Sequence, residues 1–148
     1  LATLLKAWPA ETPLLCELKV DGATDPIALA KAVAVQIQAH SGPAAMMSFS
    51  TIAVAAIPTG IMKGQLILPS QHTGETELAS TPATDVDYLA CHVSDAGNAS
   101  LQAARTTHPL ITWTVKNEAT CKALTPLTDS QIFEGFEPML AKRHILNR

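Results

Sequence analysis

The sequence predicts an α/β protein in which parallel strands are joined by helical crossovers. Short apolar runs alternate along the chain with segments whose apolar residues recur at helical spacing. Six strand candidates are each followed by a loop or a helix, as in consecutive βα units. They span residues 14–20, 44–49, 65–68, 85–91, 109–115 and 131–134. Two architectures fit this pattern: an open doubly wound sheet, and part of an eight-stranded βα barrel.

Length and composition are those of one globular domain. The chain has 148 residues, of which 47% are hydrophobic and 16% charged, enough to build a core. We therefore expect a single domain over residues 1–148. A net charge of −3 gives no basic footprint for nucleic acid, and no apolar stretch is long enough to span a membrane.

Three cysteines bear on the cellular compartment. Cys16, Cys91 and Cys121 lie far apart and match neither a metal-finger spacing nor a disulfide framework. We expect reduced, mostly buried thiols, which favours a cytoplasmic protein.

The helix candidates carry start signals of different kinds. Asp25 followed by Pro26 is typical of a helix N-terminus, and Ser50 and Asp95 are further candidate caps. The predicted helices span residues 2–7, 27–40, 51–57, 96–107, 118–124 and 138–145. The stretch 69–84, with a helical turn expected near 75–79, is the longest irregular segment. Long irregular segments in compact domains usually serve a site.

The first strand ends in a carboxylate and an ammonium two residues apart. Side chains alternate along a strand, so Glu17 and Lys19 share one face and Leu18 lies on the other. Opposite charges at the end of a buried strand are costly unless they hold a metal, a phosphate or each other. The alternative interpretation is a surface ion pair at a strand terminus.

Polar and aromatic residues also follow the later strands, where ligands bind in βα folds. The strand ends read Glu17-Leu18-Lys19, Ser48-Phe49-Ser50, His92-Val93-Ser94, Trp113-Thr114-Val115 and Phe133-Glu134-Gly135-Phe136. Taken in order, they resemble the glycerophosphodiester phosphodiesterase family. Its members carry Glu-x-Lys, Ser-Phe and Trp-Thr-Val on the third, fourth and seventh barrel strands. The last motif is similar to a bacterial variant of the closing strand.

The resemblance implies part of a TIM (β/α)8-type barrel, whose six strands correspond to strands 3–8. The family's opening His-Arg-Gly strand, and the Glu and Asp metal ligands and second catalytic His that follow, have no counterpart in this sequence. We therefore expect the chain alone to be inactive and to self-associate through open barrel edges.

The implied activity is hydrolysis of a glycerophosphodiester, a small-molecule substrate, to glycerol 3-phosphate and an alcohol, with Ca²⁺ or Mg²⁺ as cofactor. In these terms Glu17 is a metal ligand, and Lys19 is a catalytic residue that stabilises charge on the phosphate. Phe49 and Trp113 form an aromatic wall against the glycerol or alcohol portion, and His92 donates to the substrate.

Structural alternatives accompany several of these residues. Phe49 and Trp113 are core candidates on periodicity alone, and His92 is an ordinary loop residue. Asp85 and Asp87 are expected to be a solvated pair before the fourth strand. Phe136 either covers the barrel mouth or packs under the last helix, and Glu134 has no assigned role.

Two other functions remain open from the sequence. One is a catalytically inactive binding or interaction module derived from the same barrel, favoured by the missing histidine pair. The other is an unrelated α/β barrel lyase or isomerase, disfavoured because its motifs are absent. A nucleotide-binding open sheet also loses support, since no glycine-rich phosphate loop follows the first strand.

Overall fold

The computed structural model describes residues 1–73 and 85–137, which group into two compact units. Unit 1 comprises residues 1–66 and 85–87, and unit 2 comprises residues 67–73 and 88–137. Each unit contains three parallel strands with helices between them. The predicted α/β class, with successive βα units of the kind that build a (β/α)8 barrel, is confirmed.

The described residues contain six helices and six strands. The helices are α1 (Ala2–Ala7), α2 (Pro26–Gln38), α3 (Thr51–Ala55), α4 (Ser70–Thr73), α5 (Ala99–Ala104) and α6 (Glu118–Leu124). The strands are β1 (Leu14–Glu17), β2 (Ala44–Ser48), β3 (Met62–Leu66), β4 (Tyr88–His92), β5 (Leu110–Val115) and β6 (Ser130–Phe133).

Unit 1 is built on β1, β2 and β3, which pair in that order with parallel ladders. Helix α2 crosses from β1 to β2 and begins as predicted, because Asp25 Oδ1 accepts the N–H groups of Ile27 and Ala28 at 2.9 and 3.1 Å. The buried side chains of the unit come from α2, α3 and the strands. They include Leu18, Ala30, Ala34, Ile37, Met46, Ala53, Ile57 and Ile61. This cluster holds the helices against one face of the three strands.

Unit 2 is built on β4, β5 and β6, again paired in order and parallel. Helix α6 spans the residues predicted for it, and Asn117 Oδ1 accepts the N–H of Thr120 at 2.9 Å to cap its start. Leu101 on α5 and Leu110 on β5 are fully buried. Unit 2 therefore has a core of its own.

Several predicted boundaries differ from the observed ones. Strand β1 ends at Glu17 and not at residue 20, and β3 begins at Met62, earlier than the predicted start at residue 65. Strand β4 begins at Tyr88, later than the predicted start at residue 85. The expected helical turn near 75–79, the later part of the irregular segment 69–84, and the closing helix 138–145 lie outside the described residues.

The prediction that Asp95 caps a helix over residues 96–107 is wrong. Helix α5 spans Ala99–Ala104, and its cap is Asn98, whose side chain accepts the N–H of Ser100 at 2.9 Å. The Asp95 carboxylate instead accepts hydrogen bonds from Ser70, which is distant in sequence. The tertiary fold thus brings Ser70 to Asp95, and this contact replaces the local cap.

All three cysteines are free, as expected. Cys91 and Cys121 are buried, and Cys16 is partly buried on β1. Burial raises the pKa of the Cys91 thiol to about 11 and also raises the pKa of Cys16. These two thiols therefore remain protonated at neutral pH. Among the described helices, none has both the length and the apolar character needed to cross a bilayer.

The turn before β2 depends on a glycine. A Cβ built on Gly42 would lie 2.4 Å from the carbonyl oxygen of Ala10 and 2.8 Å from Nε2 of His40. A backbone oxygen at that distance cannot be accommodated without a shift of the chain. By contrast, a Cβ built on Gly22 would have no neighbour within 4 Å.

We predict that Gly42→Ala lowers the free energy of unfolding by about 1–3 kcal/mol, the usual cost of forcing extra atoms into packed structure. The matched control Gly22→Ala should change it by less than about 0.5 kcal/mol. Urea denaturation followed by circular dichroism measures both. Equal stabilities for the two variants would contradict the packing described at Gly42.

Candidate functional site

The strand ends of unit 1 carry the first group of predicted site residues. Strands β1, β2 and β3 are parallel, so their carboxyl ends lie at the same edge of this unit. Glu17 is opposite Met47, and Ser48 is opposite Gln65. The edge therefore carries both the predicted charges and two further polar side chains.

Leu18, between the two predicted charges, is fixed by three separate contacts. Its N–H donates to the carbonyl of Met47 at 2.7 Å, and its own carbonyl accepts the hydroxyl of Ser48 at 2.7 Å. Its side chain is buried in the core. The chain is therefore held rigidly past the end of β1, at the point where Glu17 and Lys19 leave it.

Glu17 and Lys19 are both exposed, whereas Leu18 between them is buried. This burial follows the alternation predicted from the sequence, although β1 itself ends at Glu17. Within the described part of the chain, Glu17 and Lys19 take part in no ion pair or side-chain hydrogen bond. The alternative of a mutual surface ion pair is therefore not realised, and both charged groups face solvent.

A buried glutamine completes the strand edge in unit 1. Gln65 Nε2 donates to the carbonyls of Ser48, Phe49 and Leu66 at 3.1, 3.2 and 3.0 Å. Ser50 N–H donates to the Ser48 hydroxyl at 3.1 Å. These bonds fix the backbone on which Phe49, a half-buried residue, is carried. The structural roles of Ser48 and Gln65 were not predicted, and a polar residue inside an apolar strand candidate was their only signal.

In unit 2, His92 and Trp113 meet at the ends of neighbouring strands. They are register partners in the β4–β5 ladder, and their rings pack edge to face with centroids 5.2 Å apart and planes at 71°. Thr112, on the other face of β5, is buried and donates to the carbonyl of Cys91 at 3.2 Å. Trp113 thus lies on the face away from Thr112, and it contacts a second predicted site residue.

A tight turn after β4 holds the His92 ring. The Asp95 N–H donates to the His92 carbonyl at 3.0 Å, and the Val93 N–H donates to the Trp113 carbonyl at 2.8 Å. The Ser94 N–H donates to Nδ1 of His92 at 3.3 Å, and the Ser94 hydroxyl lies 2.8 Å from the same nitrogen. The ring is therefore held by the turn on one side and by Trp113 on the other.

Asp95 places a buried carboxylate beside this turn. It accepts the hydroxyl of Ser70 at 2.5 Å, the N–H of Ser70 at 2.9 Å and the hydroxyl of Ser94 at 3.3 Å. Burial opposes ionisation, but the bonds from Ser70 and Ser94 and the nearby His92 outweigh it, so the pKa of Asp95 lies below its usual range. Sequence reasoning missed this role because it assigned Asp95 to a local cap.

The acidic residues before β4, Asp85 and Asp87, are both exposed, as predicted for a solvated pair, and both also bond to Lys63. Asp85 pairs with the ammonium of Lys63 at 2.7 Å, and Asp87 accepts the Lys63 N–H at 2.8 Å. Both carboxylates therefore attach residues 85–87 to β3.

Glu134 and Phe136, which follow β6, each contact one other side chain. Glu134 forms an exposed ion pair with Lys116 at 3.3 Å. Phe136 packs edge to face on Phe133, with ring centroids 5.6 Å apart. Neither contact assigns Glu134 or Phe136 to a binding site.

The described residues do not form a cation site by themselves. A hard cation such as Ca²⁺ takes six to eight oxygen ligands, and Mg²⁺ takes six. Across residues 1–73 and 85–137, no three His, Cys, Asp or Glu side chains are grouped so that they could hold a metal. The carboxylate of Glu17 could supply one ligand, which does not suffice to hold either ion.

The fold is similar to that of a phosphodiesterase from Oleispira antarctica, solved in complex with the product sn-glycerol-3-phosphate. The similarity covers 79% of this chain at 18% sequence identity, with a TM-score of 0.60. The chain spans about half of that protein, 49% of its length. No protein-family model and no curated protein matches the sequence. The comparison therefore shows that the two proteins share a fold.

We predict that Ser70→Ala lowers the free energy of unfolding at pH 7 by about 1–3 kcal/mol, because a buried carboxylate loses a hydrogen-bond donor. The control Ser100→Ala, at an exposed serine in the same unit, should cost less than about 0.5 kcal/mol. Chemical denaturation measures both variants. A Ser70→Ala variant as stable as the control would show that the Ser70–Asp95 bond adds no stability.

The lowered pKa of Asp95 also predicts a pH dependence. Its folded pKa lies below the unfolded value of about 3.9, so ionised Asp95 stabilises the fold above that pH. This contribution is lost as the pH falls through the folded pKa. The stability difference between the wild type and Asp95→Asn should therefore shrink on acidification from pH 6 to about pH 3. A difference that is constant with pH would contradict the assignment.

Proposed function

We propose that the complete barrel, of which this chain supplies a part, hydrolyses glycerophosphodiesters to glycerol 3-phosphate and an alcohol. The observation that carries the proposal is the Glu17–Lys19 segment. It presents a carboxylate and an ammonium, each unpaired within the described residues, from a locked backbone at the carboxyl ends of parallel strands. The phosphodiesterase-like fold supports the same reaction class.

Lys19 is proposed to act on the phosphoryl group. Negative charge on the phosphoryl oxygens must be balanced as the diester is attacked, and a compact ammonium on a rigid chain does so without reorganisation. The Lys19 side chain is exposed, and its backbone follows Leu18, which is held at both its N–H and its carbonyl. These features suit a group that meets a ligand arriving from solvent.

Glu17 is proposed as one ligand of a Ca²⁺ or Mg²⁺ ion in the complete barrel. Carboxylate oxygens on rigid elements are the donors that these cations prefer. Because the described residues supply no grouped ligands, the remaining ones would have to come from outside them. The histidine pair implied as general acid and base likewise has no counterpart in this sequence.

Phe49, Trp113 and His92 are proposed to contact the non-phosphate parts of the substrate. Phe49 of unit 1 and Trp113 of unit 2 are each half-buried. His92 adds a polar group beside Trp113. An aromatic ring beside a single polar group, as at Trp113 and His92, suits a glycerol or alcohol chain better than a charged phosphate.

An inactive binding or interaction module is the second candidate function. It is favoured because no metal ligands are grouped within the described residues. It is also favoured because β1 and β6 each pair with one described strand and leave one edge open. Among the described strands, β1 pairs only with β2 and β6 only with β5. Unpaired strand edges can add a strand from another chain, so this module would self-associate.

We also propose a cytoplasmic location. None of the three cysteines forms a disulfide, and two of them are buried as thiols. Unpaired cysteines are typical of reducing compartments.

We predict that Glu17→Gln in the complete barrel lowers kcat/KM for glycerophosphocholine at least about 100-fold, because the lost charge weakens cation binding. The control Glu11→Gln removes an exposed carboxylate in the same unit and should leave kcat/KM within about twofold. Release of glycerol 3-phosphate, coupled to its dehydrogenase, measures both with Mg²⁺ or Ca²⁺ present and after chelation. In the same assay, Lys19→Met removes the ammonium proposed to act on the phosphoryl group. Its control, Lys31→Met, removes an exposed ammonium elsewhere in the same unit.

The outcomes separate the two candidate functions. Hydrolysis that requires Glu17 and a divalent cation supports the enzyme. The interaction module is supported instead if the complete barrel releases no glycerol 3-phosphate from any glycerophosphodiester with either cation, and if this chain alone self-associates in light scattering. Turnover unchanged by Glu17→Gln removes Glu17 from the site.

A further inference from the structure

The two ring nitrogens of His92 have different surroundings. Nδ1 faces the turn, 3.3 Å from the Ser94 amide nitrogen and 2.8 Å from the Ser94 hydroxyl oxygen. Nε2 forms no hydrogen bond within the described residues. The half-buried His92 ring therefore has one nitrogen engaged by the protein and one available to a ligand.

The Ser94 amide decides which nitrogen carries the hydrogen. A backbone N–H can only donate, so Nδ1 must be the acceptor when the imidazole is neutral. The Ser94 hydroxyl has one hydrogen, and it can turn away from Asp95, 3.3 Å distant, to donate that hydrogen to the same His92 nitrogen at 2.8 Å. The neutral ring then carries its hydrogen on Nε2, and the group offered to a ligand is an N–H donor.

The groups around His92 favour an uncharged acceptor. Asp95 is a buried carboxylate one serine away from the ring, and its negative charge disfavours an anion nearby. Trp113 supplies an apolar wall at 5.2 Å between ring centroids. Lys116, close to Trp113 in sequence, is already paired with Glu134. One neutral donor and an aromatic ring suit a hydroxyl or ether oxygen on a carbon chain.

We propose that His92 donates a hydrogen bond from Nε2 to an uncharged oxygen in the alcohol portion of the substrate, with Ser94 as the positioning residue. The inference rests on the proposed function and deepens it. It assigns His92 to selection of the alcohol. Asp95 holds the turn through its bonds to Ser70 and keeps anions away.

The first test needs no substrate and no activity. With ¹⁵N-labelled histidine, long-range ¹H–¹⁵N correlation spectra of the purified protein report which ring nitrogen bears the hydrogen, and the His92 signals are assigned by their loss in His92→Asn. We expect neutral His92 to be mainly the Nε2–H form, and the Nδ1–H fraction to rise in Ser94→Ala but not in Ser100→Ala. A ring that is mainly Nδ1–H in the wild type overturns the inference.

The second test uses the complete barrel and two substitutions of opposite design. A glutamine amide nitrogen takes the position of Nε2, whereas an asparagine side chain reaches only the position of Nδ1. We expect His92→Gln to keep KM for glycerophosphoinositol, whose alcohol portion carries free hydroxyl groups, within about twofold, and His92→Asn to raise it about three- to tenfold, as for one lost hydrogen bond. Equal KM values for the two variants contradict an Nε2 donor.

Product inhibition then separates the alcohol from the phosphate. Glycerol 3-phosphate lacks the alcohol portion, so its inhibition constant should be the same in the wild type and in His92→Asn. A constant that rises in parallel with KM would place His92 at the glycerol phosphate and overturn the assignment. A wild type with no phosphodiesterase activity would defeat the proposed function, whereas the spectra of the free protein would still decide the state of His92.

Discussion

A buried polar group at a strand end is costly unless it is hydrogen-bonded, and the candidate site of unit 1 depends on this constraint. The carbonyl of Leu18 lies just past the last residue of β1 and is bonded to the buried hydroxyl of Ser48. An unpaired carbonyl there would cost about 1–3 kcal/mol. Because Ser48 comes from the neighbouring strand, the positions of Glu17 and Lys19 are set by β2 as much as by β1.

Unit 2 meets the same requirement with a charged group. Asp95 is a buried carboxylate, and its two bonds from Ser70 offset much of the cost of removing the charge from water. The turn that carries Asp95 also orients His92. Within that turn, Ser94 engages Nδ1 of His92 and leaves Nε2 available to a ligand.

The parts of the fold that could be predicted are those whose sequence signals lie within a few residues of each other. The start of α2 at Asp25-Pro26 and the span 118–124 of α6 were predicted because capping residues and apolar spacing lie within a few residues of each other. The start of β3 was missed because Lys63 and Gly64 do not favour a strand on their own. They belong to one because β2 pairs with them. Asp95 was a plausible local helix cap, but its carboxylate bonds to Ser70, which is distant in sequence.

Near the candidate site, the alternation of exposed and buried side chains was predictable from the sequence, whereas the contacts between side chains were not. A period of two was enough to place Glu17 and Lys19 on one exposed face. The contact between His92 and Trp113 follows from the register of β4 on β5, which no motif within either strand encodes. The same holds for Gln65, whose three carbonyl partners include two on the neighbouring chain segment.

The state of the cysteines makes the molecule suitable for selective chemical labelling. A thiol reacts with alkylating reagents as its thiolate, and the pKa values of Cys16 and Cys91 are both raised. Cys91 and Cys121 are also shielded by burial. A cysteine introduced at an exposed position such as Lys31 would react with a fluorescent maleimide ahead of all three. Distances between chosen points of the chain then become measurable without removing any native residue of the core.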